Sequence, residues 1–112
     1  MNIPFQTIDW STIPKTEHKG DVGVAYWQTI PLGALRIRLV EYTKGYIADH
    51  WCQKGHIVHC LEGAFTSELE NDTNFALKKG MTYVVSDDVS SHRSVTKEGV
   101  KLLIIDGGFL KQ

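Results

Sequence analysis

The nitrogen and sulfur donors of this chain are crowded into one run. ADHWCQKGHIVHC, residues 48–60, holds three of the five histidines and both cysteines. Seven such residues spread evenly over 112 would place roughly one in a window of eleven, yet residues 50–60 hold all five of these, and Cys/His-rich tracts point to metal binding. In an extended segment, side chains two apart share a face, so His50 and Cys52 point together and Trp51 points away. Gly55 permits a turn, and a returning strand then brings His56 beside the first two, with Val58 and Cys60 on that face and His59 on the opposite one. Cys60 reads as a core thiol deeper in the fold, and His59 as external or at a dimer contact. A site needs a closing ligand, and His92, in VSSHRSV, is the distant histidine on the C-terminal side.

The elements that must position these residues are strands. From about residue 22 the chain breaks into short β-rich runs: VGVAYWQTI, ALRIRLVEY, YIADHW, HIVHCLE, AFTSELE, NFALKK, MTYVVS and VKLLIID. PLG, TKG, LEG and KKG, with END at 70–72, read as the turns between them. SDD at 86–88 reads as a turn before His92. No stretch keeps apolar residues at 3.6 spacing with a cap at each end, so helix is limited to one turn near the N-terminus. This spacing predicts a single all-β domain, a sandwich or barrel over residues 22–112 preceded by an irregular arm over residues 1–21.

Composition narrows the functions. A net charge of -1 and no run of Lys or Arg give no field for nucleic acid or an anionic membrane surface. No window of about 18 apolar residues exists, and MNIPFQTIDW lacks a secretion signal, so the expectation is a cytoplasmic protein with both cysteines as thiols.

The spacings resemble the cupin superfamily, whose first motif runs G, five residues, H, x, H, three or four residues, E, six residues, G. The chain has Gly45, four residues, His50, Trp51, Cys52, three residues, His56, six residues, Gly63. The second motif runs G, five residues, P, x, G, two residues, H, three residues, N. It is matched by Gly80, five residues, Ser86, Asp88, three residues, His92, three residues, Thr96. Asp49, His50, Trp51 and Cys52 also resemble, in the order DHWC, the bacterial cupins labelled by a D, H, C, W motif.

The resemblance implies an RmlC-like β-barrel, a double-stranded β-helix or jelly roll, with metal ligands at the positions of His50, Cys52, His56 and His92. Cys52 stands where the family has its second His, and His56 where it has Glu. Three imidazoles and a thiolate suit a divalent transition metal over magnesium or calcium, zinc first and then iron or nickel. The resemblance also implies a homodimer with a small-molecule ligand in the barrel.

Two functions follow from this. One is a metal-dependent small-molecule enzyme; the other is a non-catalytic module in which the ion has a structural or sensing role. ALRIRLVEY places Arg36, Arg38, Val40 and Tyr42 on one face, and solvent or an interface is the expected fate of both arginines. The sharper alternative is that one enters the barrel mouth and holds a substrate carboxylate. Trp27 either packs the barrel or walls the pocket, and His18 lies in a solvated arm or in a lid.

Overall fold

The computed structural model describes residues 1–112 and contains eight strands: β1 Thr16–Lys19, β2 Val24–Leu32, β3 Leu35–Tyr42, β4 His56–Leu69, β5 Asn74–Lys78, β6 Thr82–Val85, β7 His92–Val95 and β8 Val100–Gly107. All pairings are antiparallel. One sheet runs β1-β2-β3-β8-β4-β6 and the other β5-β4-β7, so β4 belongs to both. Helix is confined to 3-10 turns at Trp10–Thr12, as expected, and at Gly108–Leu110, which periodicity did not signal.

β4 carries the main departure from the strand reading. HIVHCLE and AFTSELE are one continuous strand, and LEG is a bulge inside it rather than a turn. The register against β8 shifts between Cys60 and Glu62, leaving Leu61 as the extra residue. A one-residue insertion exchanges the faces of a strand. Accordingly His56, Val58 and Cys60 face inward before the bulge, and Phe65 and Ser67 after it. Gly63 makes the bend possible: its φ is +81°, and a Cβ there would lie 2.4 Å from the carbonyl oxygen of Gly99.

The core between the sheets consists of Val40, Val58, Cys60, Phe65, Leu77, Val100, Leu102 and Ile104. Cys60 is fully buried there, as its strand phase requires. β8 alternates strictly, with Val100, Leu102, Ile104 and Asp106 inward. END forms the β4–β5 hairpin turn, with Asp72 at φ +67°.

Two further expectations need correction. Part of the segment read as an irregular arm is ordered: β1 pairs with β2, and Gln28 Nε2 donates to the carbonyls of Trp10 at 2.6 Å and Ile13 at 2.8 Å. YIADHW is a loop rather than a strand, held by isolated bridges at Ile47 and Cys52. Its alternating apolar residues looked like a strand, but the chain there crosses between elements instead of lying along one.

Candidate metal centre

Cys52 is positioned by its backbone. Its N–H donates to the carbonyl of His92 at 2.7 Å, and the N–H of His92 donates back at 3.0 Å. This reciprocal bridge ties the 43–55 loop to the first residue of β7. His56 opens β4, directly after Gly55, whose N–H donates to Asp87 Oδ1 at 2.6 Å. A Cβ at Gly55 would sit 2.6 Å from the Val85 carbonyl oxygen, so only glycine allows this approach. SDD is therefore a turn, as read, with Asp87 anchoring the entry to β4.

The structure gathers three of the four expected ligand residues. Cys52, His56 and His92 each present one donor atom, all within 4.8 Å of one another, with both imidazoles buried. Cys52 Sγ is 3.6 Å from His56 Nε2, and the two rings meet edge to face with centroids 5.3 Å apart. His50 stands outside this group. It is at the cavity mouth, its side chain 72% exposed and its Nδ1 2.6 Å from Asp49 Oδ1. The two-residue spacing that aligned it with Cys52 applies only to a strand, and the segment is a loop.

Hydrogen bonds orient both imidazoles. His56 Nδ1 lies 3.1 Å from Asp106 Oδ2, and His92 Nδ1 lies 3.1 Å from the carbonyl oxygen of Ser90. Ionised carboxylate and carbonyl oxygens only accept, so each ring carries its proton on Nδ1. With its proton on Nδ1, the neutral form of each ring, the one that ligates a metal, carries its lone pair on Nε2. His92 Nε2 is buried and makes no hydrogen bond of standard geometry, although it lies close enough to the Cys52 thiol to favour its ionisation, and a buried acceptor left in this way fits a site for a further ligand. A ligating histidine whose other nitrogen donates to a carboxylate or carbonyl is the usual arrangement around transition metals.

Burial opposes ionisation of the Cys52 thiol, but His56, His92 and the Lys54 backbone outweigh it and bring the pKa down to about 5. Burial lowers the His56 pKa, and the bond to Asp106 together with the neighbouring Cys52 more than reverses this. Burial also opposes the charge on Asp106, yet His56, Arg36 and Arg38 hold its carboxyl well below the usual range.

Asp106 is the residue the sequence reading missed. It is 1% exposed and accepts from Arg36 Nε and Nη2 and from Arg38 Nη2, each at 3.0 Å, as well as pairing with His56. Arg36 sits directly opposite it across the β3–β8 pair. The expectation that both arginines go to solvent or an interface is corrected for Arg38, which is 5% exposed: the Arg36, Arg38, Val40 face is the interior one, with the Arg36 side chain half-buried at its edge. A buried acid on β8 compensates charges that would otherwise be expelled. The signal was available in VKLLIID, where the inward alternation ends on a carboxylate.

The donors open onto a cavity of about 170 Å³ whose walls include Trp27, Arg38, Tyr83 and Leu102. Trp27 lies between Arg38, whose guanidinium carbon is 4.5 Å from the ring centroid, and His18, stacked at 3.7 Å. Trp27 thus walls the cavity, and His18 buttresses it from β1. His59 bonds Thr82 Oγ1 at 2.7 Å and takes no part in the site. A larger open groove of about 810 Å³, along Phe65, Leu77 and Val95, lies away from this chemistry.

No protein-family model and no curated protein sequence matches the chain. Solved structures do. An RmlC-like cupin from Shewanella frigidimarina NCIMB 400 superposes with a TM-score of 0.72 at 16% identity, covering 96% of this chain and 94% of that one. A sugar phosphate isomerase from a cupin superfamily, from Silicibacter pomeroyi DSS-3, gives 0.72 at 14% identity over 91% and 75% of the two chains. Ectoine synthase from P. lautus gives 0.71 at 15% identity over 92% and 78%. With two antiparallel sheets sharing β4 around two buried histidines and a half-buried cysteine, the chain has the fold of the cupin superfamily.

Proposed function

We propose that this cupin-fold protein is a metal-dependent enzyme acting on a small molecule, with a divalent transition metal held by Cys52, His56 and His92. The observation that carries this reading is the buried, unpartnered Nε2 of His92, within 4.8 Å of a low-pKa thiol and a second Nδ1-protonated imidazole. Thiolate and imidazole donors favour zinc, with iron or nickel next. Zinc with three protein ligands is the pattern of catalytic sites, whereas structural sites use four. His50 outside the group thus supports catalysis over a purely structural ion. When bound, such an ion supplies Lewis-acid activation of a water or a substrate oxygen.

The chain's own residues do the rest. Asp106 keeps the His56 proton on Nδ1, and Ser90 does the same for His92. Burial raises the pKa values of the Tyr42 and Tyr83 hydroxyls, so both stay protonated at neutral pH and can donate to a ligand in the cavity. The apolar walls, among them Val58, Leu102 and Ile104, lower the local dielectric and strengthen polar contacts made beside them. A cytoplasmic location and a homodimer belong to the same proposal; exposed Val84 on β6 and Phe75 on β5 offer apolar surface for a second copy.

Metal analysis of tag-free protein tests the assignment, with about one ion per chain as the expected result. Cys52→Ser, His56→Ala and His92→Ala should lose it and His50→Ala should keep it, while cobalt substitution should give a thiolate charge-transfer band. Protein free of metal both as purified and after reconstitution sinks the proposal. A cobalt spectrum without an exchangeable water would favour the non-catalytic role.

A further inference from the structure

We propose that the barrel cavity binds a small organic carboxylate anchored on the Nε–H of Arg38, an inference that rests on the metal-site reading and names its substrate class. Arg38 lines the cavity with its side chain 6% exposed, and its Nη2 is bonded to Asp106. Its Nε is buried and has no hydrogen-bond partner. An unmet donor on a buried cation bears its full desolvation cost, and such groups persist where a ligand satisfies them.

The neighbouring charges leave room for an anion. Within the ion-pair group Arg36 and Arg38 share one carboxylate, Asp106, so two guanidinium charges meet a single negative one, while the Cys52 thiolate is the negative charge that a bound metal would neutralise. Arg36 spends Nε and Nη2 on Asp106, which leaves Arg38 as the arginine with an unmet buried donor. The Arg38 guanidinium carbon lies over the Trp27 ring at 4.5 Å, a cation–π contact that helps hold the group in place for a carboxylate.

The walls say what the anion carries. Val58, Leu102, Ile104 and Tyr83 line the same space, which suits a carbon skeleton better than a bare phosphate or sulfate. A cavity of about 170 Å³ has room on the order of six waters' share of liquid volume, which limits the ligand to a few carbons. His56 joins the two ends of the site, since its Nδ1 shares Asp106 Oδ2 with Arg38 while its Nε2 faces Cys52. A carboxylate held by Arg38 therefore directs its α or β substituent toward the Cys52, His56, His92 donors.

The test follows the Arg38 Nε–H resonance in ¹⁵N-labelled protein, zinc-loaded and metal-free, on adding glycolate, lactate or pyruvate, with lactamide and inorganic phosphate as controls. A saturable shift with at least one carboxylate is expected, and none with lactamide or phosphate over the same millimolar range. Arg38→Gln should raise the carboxylate Kd at least about tenfold, the loss expected for one charge-assisted bond. Arg38→Lys keeps a cation beside Asp106 and should weaken binding likewise, with metal content unchanged in both variants. An unmoved Arg38 Nε–H with all three carboxylates, lactamide binding equal to lactate, a response to phosphate alone, or an unaltered Kd in Arg38→Gln would each overturn the proposal. The wild-type signal decides the matter even if both variants misfold. Failure of the metal reading looks different: no ion is retained, while the carboxylate shift persists in metal-free protein.

Discussion

Replacing Asp106 with Asn keeps the side chain's shape and removes its charge. The carboxylate is 2% exposed, accepts three guanidinium hydrogen bonds and pairs with His56, so the change leaves Arg38, itself 6% exposed, facing a neutral amide. Breaking a buried ion pair from one side costs about 3–5 kcal/mol. Arg36 is 35% exposed and can turn to solvent, which places the loss near the low end, at about 3 kcal/mol. With an unfolding entropy of about 2.1 cal/mol/K per residue, that corresponds to a fall in Tm of roughly 13 °C for a chain of this length. Scanning calorimetry at pH 7 measures it.

The pH dependence checks the cause. A carboxyl held below its ordinary value contributes stability that is complete above the unfolded pKa, near 3.9, and is lost as pH falls through the folded one. The gap between wild type and Asp106→Asn should therefore narrow as the pH drops below about 4. A fall in Tm of less than about 4 °C at pH 7, or a gap that stays constant down to pH 3, would refute the account. The same variant should bind metal about 10- to 100-fold more weakly, because His56 loses the group that orients it.

Three further outcomes follow from single residues. In metal-free protein at pH 7, iodoacetamide should modify Cys52, whose pKa is brought down to about 5, and spare Cys60, whose thiol burial pushes up; mass spectrometry of the digest distinguishes them. Gly63→Ala should cost about 1–3 kcal/mol in a urea melt, since it forces a side chain into left-handed backbone and onto the Gly99 carbonyl. Gln28→Leu leaves the Trp10 and Ile13 carbonyls without their donor, so amides of residues 10–13 should exchange faster while β8 stays protected.

Period two within one strand made much of the site's interior readable in the sequence. Val58 and Cys60 follow His56 inward, and Cys60 is a core thiol for that reason. Donor chemistry was equally legible, because imidazole and thiol types are properties of the residues, and Cys52, His56 and His92 do converge. The same rule failed where the chain leaves the strand. His50 and Cys52 were aligned by a strand that is a loop, and LEG was read as a turn where one extra residue makes a bulge. Only the tertiary structure decided which face of β3 is inside. Arg38 is buried and Arg36 held inward because Asp106, 68 and 70 residues away, meets them across the β3–β8 pair, and a charge's partner so distant in the chain is set by strand register.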